Sequence, residues 1–209
     1  MKHLLFVVLF TLSSLAVSQP QNTILVLGDS LSAGYGIKIE QSWPTLLQEK
    51  INAQGIGFKV HNASISGQTS SEGVRQIDQL LQLTNPKLVI LELGANDGLR
   101  GLSISQMQSN LQTIIDKSLR ANAQVLLVGI RVPSNYGRRY GEMFINSYDV
   151  LAKKNNIPLV PFLLTPLESI INDENRGEYV QQDGLHPTAK SQPLILEHLW
   201  PSIHVLLKG

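Results

Sequence analysis

The chain has 209 residues, 17 basic and 16 acidic side chains, and no cysteine. That near-neutral balance argues against a polyanion partner, because nucleic-acid affinity rests largely on phosphate neutralisation. Without cysteine there are no disulfides, and a chain of this length builds a sufficient core without them.

The first elements read as export rather than fold. Met1-Lys2-His3 gives a short positive start, and residues 4–17 are apolar apart from Thr11, Ser13 and Ser14. Ala16-Val17-Ser18 supplies small residues three and one positions before a cleavage point, which is the layout of a secretory signal peptide. An uncleaved anchor is the alternative, but the run is short for a span of roughly 20 apolar residues. Residues 1–18 are therefore expected to be a signal peptide cleaved after Ser18. Residues 19–209 then form a single domain, periplasmic or secreted, with no stable membrane anchor. Cleavage would remove one lysine and leave sixteen basic against sixteen acidic residues.

Short apolar runs then alternate with amphipathic segments. Strands are expected at 23–27, 58–61, 88–93, 125–130 and 158–161, the last being the weakest. A helix over 43–51 follows Ser42 as N-cap, with Pro44 in its first turn. Thr69-Ser70-Ser71-Glu72 reads as a capping box opening a helix that carries Val74, Ile77, Leu80 and Leu81. Ser103 with Gln106 opens another through Leu119, with Met107, Leu111, Ile114, Ile115 and Ser118 on one face. Further helices are expected over 140–155 and 189–207, with Pro193 in the first turn of the latter. This alternation predicts an α/β class: a three-layer α/β/α sandwich with a mainly parallel sheet of about five strands. Ligands bind beyond the carboxyl ends of such strands.

Polar and glycine residues follow three successive strands. They are Gly28-Asp29-Ser30-Leu31-Ser32, then the run 62–69 (NASISGQT), then Gly94-Ala95-Asn96-Asp97-Gly98. Asp183-Gly184-Leu185-His186-Pro187 sits in a loop before the final helix. As chemistry these pieces make a serine hydrolase. Ser30 is the nucleophile, His186 its base, and Asp183 the acid that fixes the imidazole tautomer. The N–H groups of Ser30 and Gly67 and the amide of Asn96 are the expected oxyanion donors. Each signal has a bland counterpart. Ser30 could merely cap a helix, and His186 could be a helix-entry residue. Asp29 and Asp97 read as loop scaffolding, while His61, His198 and His204 read as surface or packing residues. Ser64 and Ser66 are rival nucleophiles only in principle, since both lie in the loop expected to supply the oxyanion donor. The Gly-x-Ser-x-Gly elbow is not met, because Ser32 holds its last position.

Together the blocks GDSLSAG, NASISGQTS, ELGANDG and DGLHP resemble the SGNH, or GDSL, hydrolases. The resemblance carries over that family's Ser, Gly, Asn and His as Ser30, Gly67, Asn96 and His186, with Asp183 as the triad acid. It also implies the flavodoxin-like fold of the family. With NDGLRG (96–101) and SNYGRRY (134–140), the chain is similar to the exported multifunctional thioesterase/protease/lysophospholipase group. Ala95 departs from the pattern where a second glycine is common. The resemblance implies cleavage of carboxylic esters and thioesters of acyl substrates, lysophospholipids among them.

The expectation is thus a monomeric serine esterase acting on a small acyl ester or thioester, with no cofactor, no metal and no nucleic-acid partner. A short-chain carbohydrate or aryl acetyl esterase is the alternative. A metal-dependent phosphoesterase using Asp29, Asp97, Asp183 and His186 is remote, because only one histidine is well placed. A non-catalytic binding module in the same crevice is the third reading. Gly98, Leu99, Gly101 and Leu102 are marked as a candidate substrate loop, closing apolar side chains over an acyl chain; the alternative is an ordinary connection with both leucines in the core. Arg138 and Arg139 are read as a solvated pair, with a phosphate headgroup as the sharper alternative.

Overall fold

The computed structural model describes residues 22–208, so the expected signal peptide lies outside the described residues. The elements run β1 (Asn22–Gly28), α1 (Ser30–Ala33), α2 (Trp43–Ala53), β2 (Phe58–Asn62), α3 (Ser70–Thr84), β3 (Leu88–Glu92) and α4 (Ala95–Leu99). They continue with α5 (Ile104–Arg120), β4 (Gln124–Val128), α6 (Arg138–Asn155), β5 (Leu159–Val160), α7 (Thr165–Glu168), α8 (Arg176–Tyr179) and α9 (Gln192–Leu206).

All five strands pair in parallel, in the order β2-β1-β3-β4-β5. From β1 the chain crosses to β2 on one side, then returns past β1 to β3 and continues to β4 and β5. Right-handed crossovers in opposite directions put their helices on opposite faces. Accordingly α3, α5 and α6 pack together on one face, while α2 and α9 pack on the other. This is the α/β/α sandwich expected from the sequence. The reversal between β1 and β3 opens a crevice at the carboxyl edge, as in other doubly wound sheets.

The central strands are covered on both faces, which is why Ile24 to Leu27, Leu88 to Leu91 and Val125 to Val128 are buried without alternation. Each such side chain contributes roughly 1.5–3 kcal/mol relative to exposure. Helix entry follows the expected caps at α3 and α5, whereas Ser42 precedes α2 without a side-chain cap and its hydroxyl donates back to the Ile39 carbonyl. Glu72 Oε2 accepts from the Thr69 N–H at 2.7 Å while Thr69 Oγ1 accepts from the Glu72 N–H at 3.4 Å. Ser103 Oγ accepts from the Gln106 N–H at 3.3 Å, and Met107, Leu111, Ile114, Ile115 and Ser118 are the buried face of α5.

The differences from the sequence reading have local causes. β5 shrinks to two residues because Pro158 and Pro161, which flank it, have no N–H to give to a ladder. The last helical segment starts as a 3₁₀ turn over Ala189–Ser191, and α9 proper begins at Gln192 with Pro193 in its first turn. Gln192 Oε1 accepts from the Trp43 N–H at 3.0 Å, joining α9 to the start of α2.

Candidate active site

β1 runs out at Gly28, and Asp29 becomes the N-cap of α1, whose first residue is Ser30. The Asp29 carboxylate accepts from the Leu31 N–H at 3.1 Å, and the Asp29 carbonyl accepts from the Ala33 N–H at 2.9 Å. This tight turn lifts Ser30 above the sheet edge. Asp29 is fully buried and takes the scaffolding position expected of it.

Asp183 and His186 come from the far end of the chain. An antiparallel bridge between Val180 and Pro187 closes their loop, with the Gln181 N–H donating to the His186 carbonyl at 2.8 Å. Asp183 Oδ1 accepts from the N–H groups of Leu185 (2.9 Å) and His186 (3.0 Å). Asp183 Oδ2 lies 2.6 Å from His186 Nδ1, and His186 Nε2 lies 2.8 Å from Ser30 Oγ. A carboxylate only accepts, so Nδ1 carries the proton, Nε2 is the acceptor, and the Ser30 hydroxyl donates to it. Desolvation raises the Asp183 pKa, but the two N–H groups and the imidazole outweigh it and bring it down to about 2. Asp183 is therefore ionised throughout the neutral range. The Tyr35 ring covers the imidazole, with centroids 4.5 Å apart.

Asn96 sits on α4, just past β3. Its Nδ2 donates to the Gln68 carbonyl at 3.1 Å and to Asp29 Oδ2 at 3.3 Å. Two acceptors on one side settle which end of the amide is nitrogen. Asp97 accepts from the Ser70 N–H (2.8 Å) and Ser70 Oγ (2.6 Å), which locks α4 against the first turn of α3. Gly67 has φ +82°, a left-handed conformation that glycine adopts without a Cβ penalty. Among the described residues, neither the Ser30 nor the Gly67 N–H has a backbone acceptor.

Ser30, Gly67, Asn96 and His186 line one cleft of about 570 Å³. It continues past Leu99, Ile130, Val132 and Leu164 to Arg131, which stacks over Phe162 at 4.5 Å and pairs with Glu168 at 2.6 Å. Four of the five residues singled out from the sequence for chemistry line this cleft, and Asp183 joins them from behind through its contact to His186. The candidate substrate loop divides. Gly98 and Leu99 belong to α4, a helical turn where a loop was expected, and Leu99 lines the cleft. Leu102 is 43 % exposed and is not part of the cleft wall, so it is neither core nor a cover for this cavity. Among the described residues no three His, Cys, Asp or Glu side chains converge as a metal site requires.

Some residues of the site were not singled out in the sequence. Glu92, the last residue of β3, is wholly buried beneath the Ser30 turn, where Ser32 Oγ donates to its Oε2 at 2.6 Å. An acid inside the run LVILE is a readable signal of a buried polar contact. Arg100 donates to the Gly67 carbonyl, and Tyr136 Oη to the Leu99 carbonyl at 2.7 Å. No periodicity announces contacts of that kind.

Residues 26–192 match the GDSL-like Lipase/Acylhydrolase family. The chain is 45 % identical over 197 residues to an arylesterase of Vibrio mimicus, covering 94 % of this chain and 95 % of that protein. It is 40 % identical over 203 residues to the thioesterase 1/protease 1/lysophospholipase L1 of Escherichia coli (strain K12), covering 97 % and 91 %. The crystal structure of the psychrotrophic esterase EstA from Pseudoalteromonas sp., inhibited by monoethylphosphonate, superposes with a TM-score of 0.82 at 42 % identity. That match covers 90 % of this chain and all of the other.

Proposed function

The chain belongs to the GDSL-like lipase/acylhydrolase family and is an ester hydrolase, and from that premise we propose that Ser30, His186 and Asp183 are its catalytic triad. The observation that carries the proposal is the continuous hydrogen-bonded line from Asp183 Oδ2 through the imidazole to Ser30 Oγ, at 2.6 and 2.8 Å.

Ser30 Oγ attacks the acyl carbonyl as its proton passes to His186 Nε2. Asp183 holds the ring and stabilises the imidazolium. The N–H groups of Ser30 and Gly67 and the Asn96 amide stabilise the oxyanion. The imidazolium then protonates the leaving alcohol or thiol, an acyl-enzyme remains, and water activated by His186 releases the acid. The apolar wall from Leu99 to Leu164 suits an acyl chain, and no cofactor or metal takes part in any step.

The substrates are small acyl esters or thioesters, with lysophospholipids among them. Arylesterase and thioesterase/lysophospholipase relatives support that range without ranking it. A leader over residues 1–18 places the enzyme in the periplasm or outside the cell, where membrane-derived lysolipids and small esters are available. The folded unit acts as a monomer. Among the described residues no helix is long and apolar enough to cross a membrane.

A fluorophosphonate probe followed by peptide mapping tests the assignment. Stoichiometric labelling at Ser30, lost in Ser30→Ala, is expected. Ester hydrolysis by Ser30→Ala at the wild-type rate would overturn it, and activity lost in EDTA and restored by a divalent cation would favour the phosphoesterase reading.

A further inference from the structure

Two fully buried carboxyl groups, Asp29 in the nucleophile turn and Glu92 beneath it, are used by no step of the mechanism above. Glu92 ends the central strand β3, opposite Gly28 in the β1–β3 register. A Cβ at position 28 would come within 2.6 Å of Glu92 Oε2, so glycine there makes room for the acid. Glu92 Oε2 accepts from Ser32 Oγ at 2.6 Å and from the Asp29 N–H at 3.4 Å. Oε1 has no partner among the described residues. The second carboxyl, Asp29, accepts from Leu31 N–H and from Asn96 Nδ2.

Two neighbouring carboxyls shut away from water do not both ionise at neutral pH without large cost. Burial raises both, Asp29 to about 6, and Glu92 well above the usual carboxylate range, where the Asp29 charge adds to the effect. Their partners decide which keeps the proton. Asp29 has a backbone N–H, an amide and the nearby His186 to favour its anion. Glu92 has one hydroxyl, one long N–H contact and an Oε1 with no donor. The other titratable neighbours, Asp97 on α4 and Tyr148 on α6, add no positive charge.

We propose that Glu92 is a positioning residue of the active site. Held uncharged, it fixes the Asp29–Ser32 turn from both ends and leaves the single negative charge of the pair on Asp29. That charge holds the nitrogen of the Asn96 amide on the Asp29 side, where Nδ2 donates to Asp29 Oδ2. The proposal rests on the roles given above to Ser30, Asn96 and His186.

The test measures kcat and KM for a p-nitrophenyl ester from pH 5 to 9, with fluorophosphonate labelling, for Glu92→Gln, Glu92→Leu and Asp29→Asn. Gln accepts from the same donors without charge, so Glu92→Gln should stay within about threefold of wild-type kcat. Glu92→Leu should lose about tenfold or more in kcat at unchanged KM, as two donors lose their acceptor. In Asp29→Asn the Asn96 amide loses its anionic partner, so kcat should fall about threefold or more at unchanged KM. Equal losses in Glu92→Gln and Glu92→Leu would overturn the uncharged role, and wild-type kcat in Glu92→Leu would overturn positioning. Should Glu92→Leu not fold, the Glu92→Gln and Asp29→Asn rates decide, a wild-type kcat in Asp29→Asn counting against the proposal. A wild-type enzyme unlabelled at Ser30 would instead overturn the serine mechanism itself.

Discussion

The guanidinium of Arg100 donates to the carbonyl oxygen of Gly67 at 2.8 Å, tying the segment after Asn96 to the loop that presents the Gly67 N–H. Two of the three proposed oxyanion donors are thereby held relative to one another by a residue that makes no contact with Ser30. A charge-assisted hydrogen bond contributes about 1.5–3 kcal/mol when sheltered and less when exposed, as this one is. Arg100→Ala should lower kcat about three- to tenfold for a p-nitrophenyl ester, with KM little changed. An unaltered kcat would show that Gly67 holds its conformation unaided.

Asn96 faces a conflict that its substitution should expose. Its amide nitrogen has two hydrogens, directed at the Gln68 carbonyl and at Asp29 Oδ2. An oxyanion must take a share of one of them, and the contact to Asp29, at 3.3 Å, is the weaker to give up. Asn96→Ala removes the donor outright, and loss of one such donor costs about 10²–10³ in turnover. Steady-state kinetics should show that loss in kcat, with the circular dichroism spectrum of the folded enzyme retained. Turnover at the wild-type rate would remove Asn96 from the oxyanion site.

These two residues also mark where reading the sequence succeeds and where it stops. Ser30, Gly67, Asn96, Asp183 and His186 were legible because each lies just past an apolar run or just before a helix, and a parallel sheet gathers such positions at one edge. The caps at Thr69 and Ser103 were legible because capping is local. Arg100 was not, because its partner is 33 residues away and nothing in spacing records which way a long side chain turns. Glu92 was visible as an acid in an apolar strand, but its meaning depends on Asp29 and Ser32 arriving above it from β1. The stretch 98–102 read as a loop because a single helical turn is too short to show a period.

That helical turn also decides which residue best probes acyl chain-length preference. A Cβ at Gly98 would run into Val132 and Phe144, so Gly98→Ala would disturb packing as well as any motion. Leu99 is the better probe, since it lines the cleft, whereas Leu102 is exposed outside the cleft wall. Leu99→Ala should alter the ratio of kcat/KM between short- and medium-chain p-nitrophenyl esters by about five- to tenfold, given roughly 0.8 kcal/mol per buried methylene. Leu102→Ala should leave the ratio within about twofold. Equal effects from the two would restore the idea of a moving apolar cover.

The buried carboxyl pair predicts an unusual dependence of stability on pH. Asp29 has a folded pKa near 6, against a usual 3.8, so the folded state holds a proton that the unfolded chain has already lost. Its contribution is therefore most favourable below about pH 3.8 and declines as pH rises toward 6, by on the order of 3 kcal/mol. Glu92, raised further, acts in the same direction at higher pH. Asp183 has the opposite sign, but its pKa is lowered to about 2, so its stabilisation is lost only as pH falls below the usual carboxylate range. Between pH 4.5 and 7 the two buried acids dominate. Denaturant unfolding at those two pH values should therefore show Asp29→Asn gaining stability relative to wild type as pH rises, whatever its offset at pH 4.5. A difference independent of pH would mean that Asp29 ionises in the folded protein as readily as it does in the unfolded chain.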